Sequence, residues 1–128
     1  MLDNYEFFRI FAKDSQDIGN MRACNVYVNN QFVGVLAEEN PNRYVFSYDA
    51  DYLRQARPVP VCLAMPPTVE PYVSDSLFPF FSNLLSEGAN RDFQTKLHHL
   101  LPGDDFGLLL KTATYDTIGA VTVQEIQL

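Results

Sequence analysis

The stretch VYVNNQFVGVL, residues 26–36, limits the possible folds more than any other part of the chain. Val26-Tyr27-Val28 and Phe32-Val33-Gly34-Val35-Leu36 are rich in β-branched and aromatic residues, the types that fit a pleated surface. Between them lies Asn29-Asn30-Gln31, and asparagine tolerates the left-handed backbone that a tight hairpin turn demands. A β-hairpin is therefore expected, and the following residues extend it. Glu38-Glu39-Asn40-Pro41-Asn42 reads as the next turn and Tyr44–Tyr48 as a third strand. Asp49 is placed to cap a short helix over Ala50–Ala56, which ends before Arg57-Pro58. Val61–Met65 reads as a fourth short strand closed by Pro66-Pro67.

The pattern then turns helical. With Ser76 as N-cap, Pro79 falls in the first turn, where its missing N–H costs nothing. Phe78, Phe81, Leu84 and Leu85 then share one face, and Gly88 suits the residue just past the helix end. Asn90 caps a second helix whose Phe93, Leu97, Leu100 and Leu101 are spaced to face inward, and Pro102 stops it. Asp104 caps a third helix that turns Phe106, Leu109, Leu110 and Ala113 to the core. A strand over Ile118–Ile126 closes the chain. Strands first, about three helices next and one strand last favour an α+β fold with a small, mostly antiparallel sheet. Residues 1–23 form an N-terminal extension in which YEFFRIFA suits either a strand or a short helix; residues 24–128 form the domain.

Composition removes several function classes. The 128 residues carry nine Lys+Arg against sixteen Asp+Glu, a net charge of −7, and the cations are scattered singly from Arg9 to Lys111. Without a basic stripe to displace counterions, direct nucleic-acid binding is not expected. No apolar run reaches a membrane span, and Asp3, Glu6 and Arg9 break up the start as a signal peptide. Cys24 and Cys62 form neither a disulfide framework nor a metal-ligand spacing, and read as reduced, buried strand residues of a cytoplasmic protein.

Reactive motifs are equally scarce. The phosphate-cradling glycine loops and the HExxH zinc motif are absent. His98 and His99 are adjacent, so a helix would point them about 100° apart and they could not clamp one ion. Asp104-Asp105 suit a helix start, where capping and the dipole favour acids. Asp116 reads as a turn residue, and Glu87 sits at an unfavourable helix end, which leaves an outside partner for it open. No catalytic residue, metal site or cofactor is expected.

In order along the chain stand VYVNNQFVGVL, FSYDADYL (46–53), PVCLAMPP (60–67), EPY (70–72), FFSNLLSEGANR (80–91) and DDFGLLLKTATYDTIGAV (104–121). This set resembles the N-terminal subdomain of HipA-type serine/threonine kinases, the toxins of bacterial toxin–antitoxin systems, over residues 24–123. The chain departs from the family at Ser86, where proline is common, at Cys62 and Ala64, where small serines are common, and at Thr114-Tyr115, where a glycine pair is common. The kinases' ATP site, magnesium ligands and catalytic aspartate lie beyond this subdomain, so none is carried over.

A free-standing subdomain of this kind resembles the S component (HipS) of tripartite HipBST-type systems. The resemblance implies a non-enzymatic antitoxin that binds and inhibits a HipA/HipT-like serine/threonine kinase toxin, with a HipB-like DNA-binding protein as a further partner in a ternary complex. An accessory subunit that completes or activates such a kinase is the alternative; a small enzyme with a cryptic site on Glu87, Asp116 or Cys62 is the third reading. The expected partner-binding residues are Met65, Pro66, Pro67, Val69 and Tyr72, in a proline-stiffened loop that loses little entropy on docking. Ser86, Glu87 and Gly88, at the joint between two helices, form the second expected surface.

Overall fold

Asn29 and Asn30 both adopt positive φ, 51° and 67°, as the hairpin requires. The computed structural model describes residues 21–113 and 120–127. In these, β1 (Arg22–Val28) turns through the two asparagines into β2 (Gln31–Asn40), and β3 (Arg43–Tyr48) follows antiparallel. Asp49 caps the short helix α1 (Ala50–Leu53) by accepting from the Tyr52 N–H at 3.2 Å. After a long loop come β4 (Tyr72–Ser74), α2 (Pro79–Ser82), α3 (Gly88–Leu97), α4 (Asp105–Thr112) and β5 (Val121–Glu125). The five strands form one sheet in the order β4-β3-β2-β1-β5, antiparallel at every pairing. This is the expected α+β architecture.

The main core lies between one sheet face and the helices. Cys24, Val26, Leu36, Phe46 and Val123 meet Phe81, Phe106 and Leu109 there, all fully buried. Gly34 on β2 is required by close approach, because a Cβ at this position would stand 2.3 Å from the Ser47 carbonyl oxygen. The opposite face carries a smaller cluster, Met21, Ala23, Val35 and Ala37.

Several local expectations are corrected. Val61–Met65 is a series of turns, not a strand, and the fourth strand is β4. The backbone of this segment is satisfied by other means. The Tyr48 hydroxyl accepts from the Val61 N–H at 2.9 Å and donates to the Met65 carbonyl, while the Met65 N–H returns to the Cys62 carbonyl. Cys62 is thus a half-buried turn residue, although Cys24 is a buried strand residue as expected. The β2 strand runs on to Asn40, so Glu38 and Glu39 are strand residues rather than turn residues. Helix α1 ends at Leu53, short of Ala56.

Helix α2 is a single turn with Pro79 in its first turn and Phe78, not Ser76, as N-cap; it ends before Leu84. Gly88 therefore opens α3 instead of closing α2, and the N-cap of α3 is Glu87, not Asn90. Glu87 stands at the positive end of the helix dipole, the favourable end for an acid. The helix stops at Leu97, five residues before Pro102, because His98 is its C-cap and His99 takes φ 57°. Asp104 caps α4 as expected, accepting from the Gly107 N–H at 3.1 Å. Ile118, Gly119 and Asp116 lie outside the described residues, and β5 itself ends at Glu125.

Candidate interaction surface

Residues 54–71 connect α1 to β4 and hold five prolines, which cannot donate to a sheet ladder. Tyrosine hydroxyls hold the loop in place. Besides Tyr48, the Tyr52 hydroxyl both accepts from the Val59 N–H at 2.7 Å and donates to the Val59 carbonyl at 2.6 Å. The Tyr72 hydroxyl donates to the Pro66 carbonyl at 2.5 Å. Burial pushes the Tyr48 hydroxyl up to about 12, so it stays protonated and keeps its donor role at physiological pH.

The residues expected to bind a partner divide into buried and exposed members. Met65 is a core residue packed under the loop, and Pro67 and Tyr72 are half-buried. Pro66 and Val69 point to solvent, Val69 at 86% exposure, with Leu63 nearby in sequence at 96%. At the second surface Glu87 and Gly88 are exposed, and Ser86 accepts from the Asn90 side-chain amide at 2.9 Å. Gly88 has φ 65°, a conformation that disfavours any side chain. Among the described residues no hydrogen bond or ion pair ties the loop to this joint.

One polar network was not foreseen. The strand register aligns Arg22, Glu38 and Tyr44 side by side across β1, β2 and β3. Arg22 forks to Glu38 at 2.7 Å and, from the same guanidinium, to Asp104 at the start of α4 at 2.9 Å. Tyr44 donates to the other Glu38 oxygen at 2.7 Å, and the guanidinium lies 5.3 Å above the Phe106 ring. Gly107 makes the room: a Cβ there would fall 2.3 Å from an Asp104 oxygen. The bond from Arg22 holds the Asp104 carboxyl below the usual carboxylate range. The Asp104 bond in turn raises Arg22, and burial with the Glu38 bond raises Tyr44. Arg22 and Asp104 are 82 residues apart, and no local pattern links them.

This network walls a pocket of about 650 Å³ whose rim includes Leu101, Asp75 and Asp105. Arg91 of α3 pairs with Asp105 across the α3–α4 contact. Among the described residues no three His, Cys, Asp or Glu side chains gather to hold a metal, and burial drives the Cys24 thiol far from its reactive thiolate form. No described helix is long and apolar enough to cross a membrane.

The chain's relatives share this architecture. Residues 24–124 match the family described as HipA N-terminal domain. The chain belongs to the HipA N-terminal domain family. The solved structure titled N-terminal domain of HipA toxin superposes with a TM-score of 0.64 at 28% identity, covering 83% of this chain and 93% of that one. An uncharacterized protein of Haemophilus influenzae is 31% identical over 82% of this chain and 93% of its own length. In Sinorhizobium fredii, "Putative kinase Y4mE" is 27% identical over 70% of this chain, which corresponds to only 21% of that protein. The family thus occurs both as one part of a much longer protein and in a protein of nearly this domain's size.

Proposed function

We propose that this chain is a non-enzymatic antitoxin that docks on a HipA-like serine/threonine kinase and restrains its phosphoryl transfer. One observation carries the reading: a HipA N-terminal domain that presents Leu63, Pro66 and Val69 to solvent on a loop held by three tyrosine hydroxyls. A loop pinned in this way has little conformational entropy left to lose, so its apolar area converts into affinity more completely than that of a mobile loop. Met65 supports it from beneath, and Glu87 and Gly88 offer a second contact. Docking restrains the kinase either by blocking nucleotide entry or by preventing lobe closure.

The test mixes the chain with a HipA-like kinase that lacks its own N-terminal domain and follows phosphotransfer. The rate is expected to fall as the complex forms, and Tyr72→Ala, checked for retained folding, to weaken binding by about tenfold. A rate that rises would instead favour an accessory subunit. A kinase that neither binds the chain nor changes its rate would sink the proposal.

A further inference from the structure

The sheet has two faces, and the described elements cover only one of them. Helices α1, α2 and α4 and the proline-rich loop pack on the face of Cys24, Val26, Leu36 and Phe46. The other face carries Ala23 and Asn25 of β1, Val35 and Ala37 of β2 and Val45 of β3, which the register sets side by side. No described helix or loop joins its apolar cluster of Met21, Ala23, Val35 and Ala37, which has Phe32 and Ile126 at its margin. Yet Ala37 is 0% exposed, Val45 1% and Val35 3%. The side-chain oxygen of Asn25 is buried as well, without a hydrogen-bond partner among the described residues. Strand side chains stand roughly parallel and about 5 Å apart, which leaves their tips open to water on a bare face, and such a face carries polar residues. This one is apolar and closed, so a further layer lies over it.

The margins show how wide the layer is. Val73 of β4, paired with Val45 on this face, is 50% exposed, and Gln124 of β5, paired with Asn25, is exposed too. The closed strip thus runs from β1 to β3, about 10 Å across, the width of one packed segment. Residues 114–119 are too short to reach it. Both their ends are held at β5, where the Val123 N–H bonds to the Ala113 carbonyl, and out and back they extend no more than about 12 Å. The β3 strand is three strand spacings away, about 14 Å. Residues 1–20 do reach. They join the sheet at Met21, itself 5% exposed within this cluster. Residues 13–20 span up to about 27 Å, and before them stand Tyr5, Phe7, Phe8, Ile10 and Phe11. We infer that the segment Leu2–Ala12 packs these side chains on the β1–β3 strip as a second layer of the fold. The family match begins at residue 24, so this layer lies outside what the family describes. It stands independently of the kinase reading, because the proposed docking loop packs on the opposite face through Val61 and Met65.

The test uses the full chain with its valine methyl groups labelled for NMR. Nuclear Overhauser contacts are expected from Val35 and Val45 to the rings of Tyr5, Phe7, Phe8 or Phe11. Their absence overturns the inference. Replacing Tyr5, Phe7, Phe8, Ile10 and Phe11 by Ser, one at a time, gives a second readout. A covering segment turns only part of its side chains inward, so at least two of the five should lower Tm by about 5 °C or more. Val69→Ser, at an exposed position of the docking loop, should leave Tm unchanged. Five unchanged values would also overturn the inference. So would a dimer in light scattering whose Val35 and Val45 contacts arise only between chains in a mixed-label sample, which would give the strip to a second copy.

Discussion

Helices α3 and α4 follow one another in sequence, have comparable apolar periodicity and lie against each other, yet they use that periodicity in opposite senses. In α4, Phe106, Leu108, Leu109 and Leu110 are all buried beneath the sheet; in α3 the buried residue is Gln94 and the large apolar side chains face out. The difference teaches that a repeat of apolar residues specifies a face, while the neighbouring elements decide whether that face is inside. Helix α4 contacts β5, α2 and α3, whereas α3 packs mainly on α4. Its Arg91 pairs with Asp105 across that contact.

The sharpest way to break this contrast is to truncate one aromatic from each helix. Phe106→Ala should destabilise the fold by about 3–5 kcal/mol, through lost transfer free energy and a cavity under the Arg22 guanidinium. Phe93→Ala should change stability by less than about 0.5 kcal/mol. Urea unfolding of the two variants measures both. A large loss for Phe93→Ala would mean that α3 packs its stripe after all, and the outward reading of that helix would fail.

The outcome also marks what could be read from the sequence. The hairpin was legible because Asn29 and Asn30 carry their turn chemistry in their own side chains, and the α4 cap because Asp104 acts on a backbone three residues away. The segment Val61–Met65 was misread because its composition suits a strand, while its backbone partners are a hydroxyl 13 residues upstream in β3 and a turn of its own. The α2–α3 joint was misread because Gly88 suits either a helix end or a left-handed entry, and it takes the entry, at φ 65° in the first position of α3. The Arg22 network was invisible for a different reason. It depends on strand register together with the docking of α4, neither of which any short window contains. The proline-rich loop that holds Met65 and Val69 is pinned and partly exposed, but its composition did not separate Met65, which is core, from Val69, which is surface.

A smaller effect tests how α4 is held to the strands. Asn in place of Asp104 keeps an acceptor for the Gly107 N–H but removes the charge that Arg22 meets. Asp104→Asn should cost about 1–2 kcal/mol at neutral pH, an ion-pair loss moderated by the partial exposure of both groups. The carboxyl is more acidic folded than unfolded, so the unfolded chain takes up its proton first. The pair's stabilisation is complete above the ordinary aspartate range near pH 4 and is lost as pH falls below it toward the lowered folded value. The wild type should therefore lose stability relative to Asp104→Asn on acidification, and the gap between the two should narrow. A gap constant from pH 7 down to pH 3 would mean that Arg22 and Asp104 are coupled too weakly to fasten the helix.

A smaller shift than at Asp104 is expected where α3 ends, and there its sign matters more than its size. His99 occupies the left-handed position of a helix-closing motif: its N–H returns to the Lys96 carbonyl at 3.2 Å and the Leu100 N–H to the Thr95 carbonyl at 2.9 Å. A side chain in that conformation costs about 1–2 kcal/mol. His99→Gly removes that cost and adds back some of it through the greater freedom of glycine in the unfolded chain. The net should be a stabilisation of about 0.5–1 kcal/mol, seen as a rise of a few degrees in Tm. The same turn sets Leu101 at the lip of the acidic pocket. If His99→Gly raises Tm, His99 serves only to close the helix. If it lowers Tm, the imidazole itself contributes more than its backbone strain takes away, and the end of α3 is held by a side-chain interaction rather than by its carbonyl bonds.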